Sequence, residues 1–156
     1  LIEALRDANA GVRARAMSAL GEIRDPRATT PIAAGLKDAD ANVRARAAST
    51  LAELKDPTAI DPLIAAARDT SVDVRRRVIR ALGEIGDARA LPVLTQALKD
   101  EDAAVRRDAV AAIADISEDS PEARLRGWRR PMPMPMPMPN PNPNPNPNPN
   151  PLARRR

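Results

Sequence analysis

The sequence predicts an all-α fold, a right-handed α-solenoid of four two-helix repeats over residues 1–118, and three observations carry that prediction. The first is a period. Val12, Val43, Val74 and Val105 are 31 residues apart, and each is followed by Arg, at Arg13, Arg44, Arg75 and Arg106. Asp7, Asp38, Asp69 and Asp100 keep the same step, as do Leu20, Leu51, Leu82 and Ile113, and Ile23, Leu54, Ile85 and Ile116. A constant period of this size is the mark of stacked supersecondary units. The second is composition: Trp128 is the only aromatic residue in 156, with no Phe and no Tyr. A compact globule usually fills its centre with rings, whereas a quasi-linear stack is filled with Ala, Val, Leu and Ile. The third is helical patterning. At about 100° per residue Val12, Ala16, Ala19, Leu20 and Ile23 share one stripe, and Ala14, Arg15, Ser18, Gly21 and Glu22 point the opposite way.

Each unit reads as a short helix A followed by a longer helix B. Helix A is typified by residues 62–68 and opens on Pro62, where a missing N–H costs nothing. A polar turn such as residues 37–42 ends it. Helix B runs from about 11 to 24, and likewise from 42, 73 and 104, with Asp25-Pro26 and Asp56-Pro57 closing it because Pro cannot continue the hydrogen-bond ladder. Leu1 falls already inside an amphipathic helix and is not Met, which reads as a processed product or a part of a longer protein. The repeats divide at about 1–31, 32–62, 63–92 and 93–118. Residues 119–130 form a cap and linker, with Trp128 as an anchor over the open end of the fourth repeat.

From Pro131 to Pro151 every second residue is Pro, alternating first with Met and then with Asn. Each Pro fixes its own φ and biases the residue before it to extended geometry, so this stretch is expected to be a polyproline II rod of about 65 Å. Residues 131–156 form a stiff spacer with a basic end, or a ligand rod for a groove on a neighbouring chain.

The motif of residues 87–100, followed by Val105, Arg106, Ala109, Ala112 and Ile113, resembles HEAT-like repeats of the short bacterial kind, the PBS-lyase type. The resemblance covers about three quarters of the chain and implies a bacterial scaffold for other proteins. It further implies that Asp7, Asp38, Asp69 and Asp100 form an inter-repeat ladder with Arg13, Arg44, Arg75 and Arg106, and that the B helices line a concave binding face. The residues of that face are Arg15, Ser18 and Glu22; Arg46, Ser49 and Glu53; Arg77, Arg80 and Glu84; then Asp108 and Asp115.

Composition limits the chemistry. No Cys and no His are present, which removes disulfides, thiolate catalysis and the usual zinc ligands. No nucleophile and base pair can be assembled, so no catalytic or metal site and no cofactor is expected. Acids in the turns, Asp38 with Asp40 and Glu101 with Asp102, are explained by helix capping. The net charge of +4 suggests nucleic acid until it is divided: seven Arg against one acid lie beyond residue 119, leaving 18 basic and 20 acidic residues before it. The array is near neutral and lacks aromatic platforms, which speaks against a nucleic-acid groove. No apolar run is long enough to span a bilayer, and the compartment is not fixed by the sequence. The expected function is a non-enzymatic scaffold that binds a protein or peptide on the B-helix face. The alternative is a structural subunit that self-assembles into a homo-oligomer or filament, through stacking at the open apolar end of Leu1 and Ile2 and docking of the tail. A third reading is an accessory segment of a larger bacterial enzyme.

Overall fold

A computed structural model describes residues 1–118, and these form an α-solenoid. The described elements are seven α-helices: α1 (Ala10–Ile23), α2 (Thr29–Ala34), α3 (Ala41–Leu54), α4 (Ile60–Ala66), α5 (Val72–Ile85), α6 (Leu91–Ala97) and α7 (Ala103–Glu118). The odd-numbered helices are the B helices, and the even-numbered ones are the A helices. The expected cap with Trp128 and the polyproline rod lie outside the described residues.

The chain turns from B to A without a loop. Arg24, Lys55 and Gly86 end α1, α3 and α5 in the left-handed region, with φ of 55°, 51° and 76°. Their N–H groups return to carbonyls of the last helical turn, the usual way of satisfying a helix C-terminus. One residue later Asp25, Asp56 and Asp87 each accept the N–H two positions on, from Arg27, Thr58 and Arg89, and start a 3-10 turn that runs straight into the A helix. Pro26 and Pro57 are the first residues of two of these turns. The 3-10 turns therefore begin five residues before Pro31 and Pro62 and the A helices themselves two residues before, so Asp-Pro leads into one helix rather than closing another. The reason is local: the left-handed cap already stops the B helix, so Pro is free to sit where its N–H is not needed.

The first repeat departs from the pattern. Ahead of α1 lies only the 3-10 turn Glu3–Arg6, not an amphipathic helix from Leu1.

Packing between repeats is dominated by successive B helices, α1 on α3, α3 on α5 and α5 on α7. They approach closely because small residues line the seam. A Cβ added at Gly83 would lie 2.7 Å from Ala112 Cβ and 2.8 Å from its Cα; one at Gly21 would lie 2.7 Å from Thr50 Cγ2. Ala52 is the matching residue of α3 and is also buried. Gly21 is thus a buried contact and not part of an outward face, and Ala14 is only partly exposed. Conversely Val12 and Ile23, expected in the buried stripe, are 42% and 60% exposed, while Val43, Val74 and Val105 are fully buried. The first repeat has no described neighbour on that side to cover them. The core is a continuous row of Ala, Val, Leu and Ile running through all the B helices and the inner sides of the A helices, so repeats are held by their neighbours more than by their own hairpins.

Candidate functional site: a charge ladder and the B-helix face

The A-to-B turns carry the ladder. Arg13 donates through Nε and Nη2 to both carboxylate oxygens of Asp38, at 2.7 and 2.8 Å. Its Nη1 donates to the carbonyls of Asp7 and Ala8. Arg44 repeats this with Asp69 at 2.7 and 3.0 Å, and Arg75 with Asp100 at 2.9 and 3.0 Å. The planar guanidinium matches a carboxylate in this two-pronged way, which is why Arg and not Lys recurs in the column. Each Asp spends its Oδ1 a second time on the N–H two residues later, of Asp40, Ser71 and Asp102. Asp40 and Asp102 are the residues that cap α3 and α7, each accepting two backbone N–H groups. Asp38 belongs to the ladder instead, and Glu101 is exposed beside Arg75, so neither is a helix cap as expected. The pairing runs from each Arg to the Asp of the following repeat, which leaves the Asp7 carboxylate and the Arg106 guanidinium without a salt-bridge partner among the described residues.

The ladder titrates in one direction. The hydrogen bonds from Arg13 hold the Asp38 carboxyl below its ordinary value. At Asp69 and Asp100 burial pushes the carboxyl up, but the guanidinium and backbone N–H bonds outweigh it and the net value is lowered. A lowered carboxylate contributes stability above its unfolded pKa, near 3.8, and that stability disappears as pH falls through the folded value. With no His, nothing of this kind titrates between about pH 5 and 8. The melting temperature is therefore expected to stay level from pH 8 to 5 and to drop below about pH 4. Asp38→Asn should flatten the acid limb; a decline already under way between pH 8 and 5 would contradict the assignment.

The B-helix face lies on another side. Its residues form three columns: Arg15, Arg46, Arg77 and Asp108; Ser18, Ser49 and Arg80; Glu22, Glu53, Glu84 and Asp115. Arg77, Ser49, Arg80 and Asp108 are engaged with the array itself. Arg77 donates to Asp73 at 3.0 Å and to Ser49 Oγ at 3.1 Å; Arg80 donates to Asp108 at 3.2 Å. Arg76, which the stripe analysis missed, donates to Asp108 at 2.9 Å. The signal for it was present, since Asp replaces Arg at the fourth place of its column just where an Arg run, Arg75 to Arg77, stands in the preceding helix. Ser18 turns back to the Ala14 carbonyl. Exposed and uncommitted among the described residues are Arg15 and Arg46, and the acidic column of Glu22, Glu53, Glu84 and Asp115. Arg15, Glu22 and Arg46, with Val12, Ala16 and Ala19, border an open hollow of about 670 Å³. A smaller hollow of about 340 Å³ surrounds the Arg75–Asp100 rung. Among the described residues no cluster of acids is placed to hold a metal, and no helix is long and apolar enough to cross a membrane.

The profile of HEAT repeats matches residues 1–78 and 60–126. The chain belongs to the HEAT-repeat family. No curated protein matches it. Among solved structures this HEAT array is similar to the CpcE and CpcF complex of phycocyanin lyase from Nostoc sp. PCC7120, at 28% identity and a TM-score of 0.67 over 76% of this chain and 52% of that one. It is similar to human deoxyhypusine hydroxylase at 30% identity and a TM-score of 0.69, over 76% of this chain and 42% of that one. Computationally designed armadillo repeat proteins for modular peptide recognition share the fold, at 23% identity and a TM-score of 0.56 over 80% of this chain and 66% of theirs. The array thus spans about half the length, or less, of the first two.

Proposed function

We propose that this HEAT array is a non-enzymatic scaffold that binds an extended polypeptide segment across its B helices. The observation that carries the reading is the repeated, uncommitted charge on that face: Arg15 and Arg46 on one side, and Glu22, Glu53, Glu84 and Asp115 on the other. The two columns are seven residues apart on each helix, about two turns or 10 Å. Successive side chains of an extended segment point to opposite sides. Acids of the bound segment would face Arg15 and Arg46, and its bases would face the acidic column. Likeness to repeat proteins in a lyase complex and to designed peptide binders supports a recognition surface of this kind.

Binding of an array of ten-residue peptides, read by fluorescence anisotropy, tests this. Peptides alternating acidic and basic residues should bind, and Arg46→Glu should weaken them by about tenfold, with a charge-exchanged peptide restoring affinity. Equal binding of uncharged peptides, or indifference to Arg46→Glu and Glu53→Lys, would remove the basis for the proposal.

A second reading, a subunit that self-assembles, is favoured by the two ends of the array. Val12 and Val110 are exposed where inner repeats bury the corresponding side chains. The tail docking expected alongside it falls outside the described residues.

A further inference from the structure

The two ends of the array carry the halves of one missing ladder rung. At the last repeat Arg106 Nη1 already donates to the carbonyls of Asp100 and Glu101, at 2.7 and 2.9 Å. This is the seating that Arg13, Arg44 and Arg75 adopt. Its Nε and Nη2, which in the other three hold an Asp of the next repeat, have no acceptor among the described residues. At the first repeat Asp7 Oδ1 accepts the Asn9 N–H at 2.8 Å, as Asp38, Asp69 and Asp100 do for the N–H two residues on. No cation among the described residues forms a salt bridge with its carboxylate. Both groups are exposed and already held in the conformation that a completed rung has.

The apolar surfaces at the two ends match in the same register. Val110 is 60% exposed, whereas Met17, Ala48 and Ile79, its equivalents, are buried. Val12 is 42% exposed where Val43, Val74 and Val105 are fully buried. The small-residue seam also continues: Ala114 stands in the place of Gly21, Ala52 and Gly83, and Ala19 stands in the place of Thr50, Ala81 and Ala112, of which Thr50 meets Gly21 and Ala112 meets Gly83.

We propose that a second copy of this chain docks its first repeat on the last repeat of its neighbour, closing an Arg106–Asp7 rung between molecules. The inference rests on the self-assembly reading and is independent of peptide binding. The contact joins two different surfaces in the geometry that relates successive repeats within the array, so it continues the same superhelix and yields an open filament rather than a ring.

Sedimentation velocity over a concentration series, with negative-stain imaging, tests it on the full 156-residue chain. Wild type should grow with concentration. Asp7→Arg and Arg106→Glu should each weaken self-association on the order of 100-fold, as for a close charge pair turned repulsive. Mixed one-to-one, they should recover assembly as alternating filaments, because one junction keeps the wild-type Arg106–Asp7 pair and the other carries that pair with its charges exchanged. The double variant, with charges exchanged, should recover assembly. Circular dichroism verifies folding, and Val110→Glu blocks the same end without touching the rung. Assembly of wild type that ignores all three single variants overturns the pairing and keeps the self-assembly reading. A chain that stays monomeric at every concentration overturns both.

Discussion

Asp69→Ala should cost about 3 kcal/mol of unfolding free energy. Asp69 closes the rung between the second and third repeats, accepting two bonds from Arg44, and it also accepts the Ser71 N–H at the start of α5. The side chains of the pair are 14% and 11% exposed. Removing the acid leaves Arg44 partly buried, with the carbonyls of Asp38 and Ala39 as its remaining hydrogen-bond partners. Uncompensated charge, more than a lost attraction, is what destabilises. The control follows from the same physics: replacing both partners, Arg44→Met with Asp69→Leu, should recover most of the loss, because an apolar pair leaves nothing unsatisfied. Chemical denaturation measures both. A single variant within 0.5 kcal/mol of wild type would show that the ladder fixes register without contributing stability.

Gly83→Val is expected to lower stability by about 2 kcal/mol, and to do so unevenly along the molecule. The added side chain would meet the Ala112 backbone, which cannot rotate away, so α5 and α7 must separate. In a quasi-linear stack each repeat depends on its neighbours alone. Hydrogen exchange should therefore accelerate in α7 while α1 and α3 keep their protection. At Gly21 the neighbours are the Thr50 and Glu53 side chains, which can turn aside, and Gly21→Val should cost less. Uniform loss of protection across all helices would contradict the nearest-neighbour picture.

How much of this was legible in the sequence depended on whether a residue's role recurs. The B helices fall within one or two residues of the positions read from the Val-Arg period, since four copies of one column average out local accident. The ladder residues were visible for the same reason, although the spacing alone did not say that each Arg reaches forward by 25 residues rather than to the Asp of its own turn. What the stripe analysis missed was Gly21, because a two-sided stripe gives a helix one packed side. A B helix is packed by its own A helix and by the B helices on both flanks, so its free arc is narrow. The start of the first repeat was misread for the opposite reason. Residues 1–6 have a helix-like apolar pattern, but Ile2 at the N-cap has no side chain to hold the free N–H groups, and they settle as the 3-10 turn Glu3–Arg6. The internal ties of the binding face, Arg76 and Arg80 to Asp108, were hidden because they occur once and no period points to them.

The forward reach of 25 residues from Arg to Asp, and a separation of 26 to 32 residues for the other long side-chain bonds, means that no described side-chain bond joins distant parts of the polypeptide. Ordering the chain requires closing only short loops, whose entropic cost is small, so the array can fold quickly and from any point along its length. A further unit of 31 residues could be inserted between two others without breaking the relation of either to its remaining neighbour. Growth or shortening by whole units is thus the kind of change over evolutionary time that this architecture accommodates with the least disturbance.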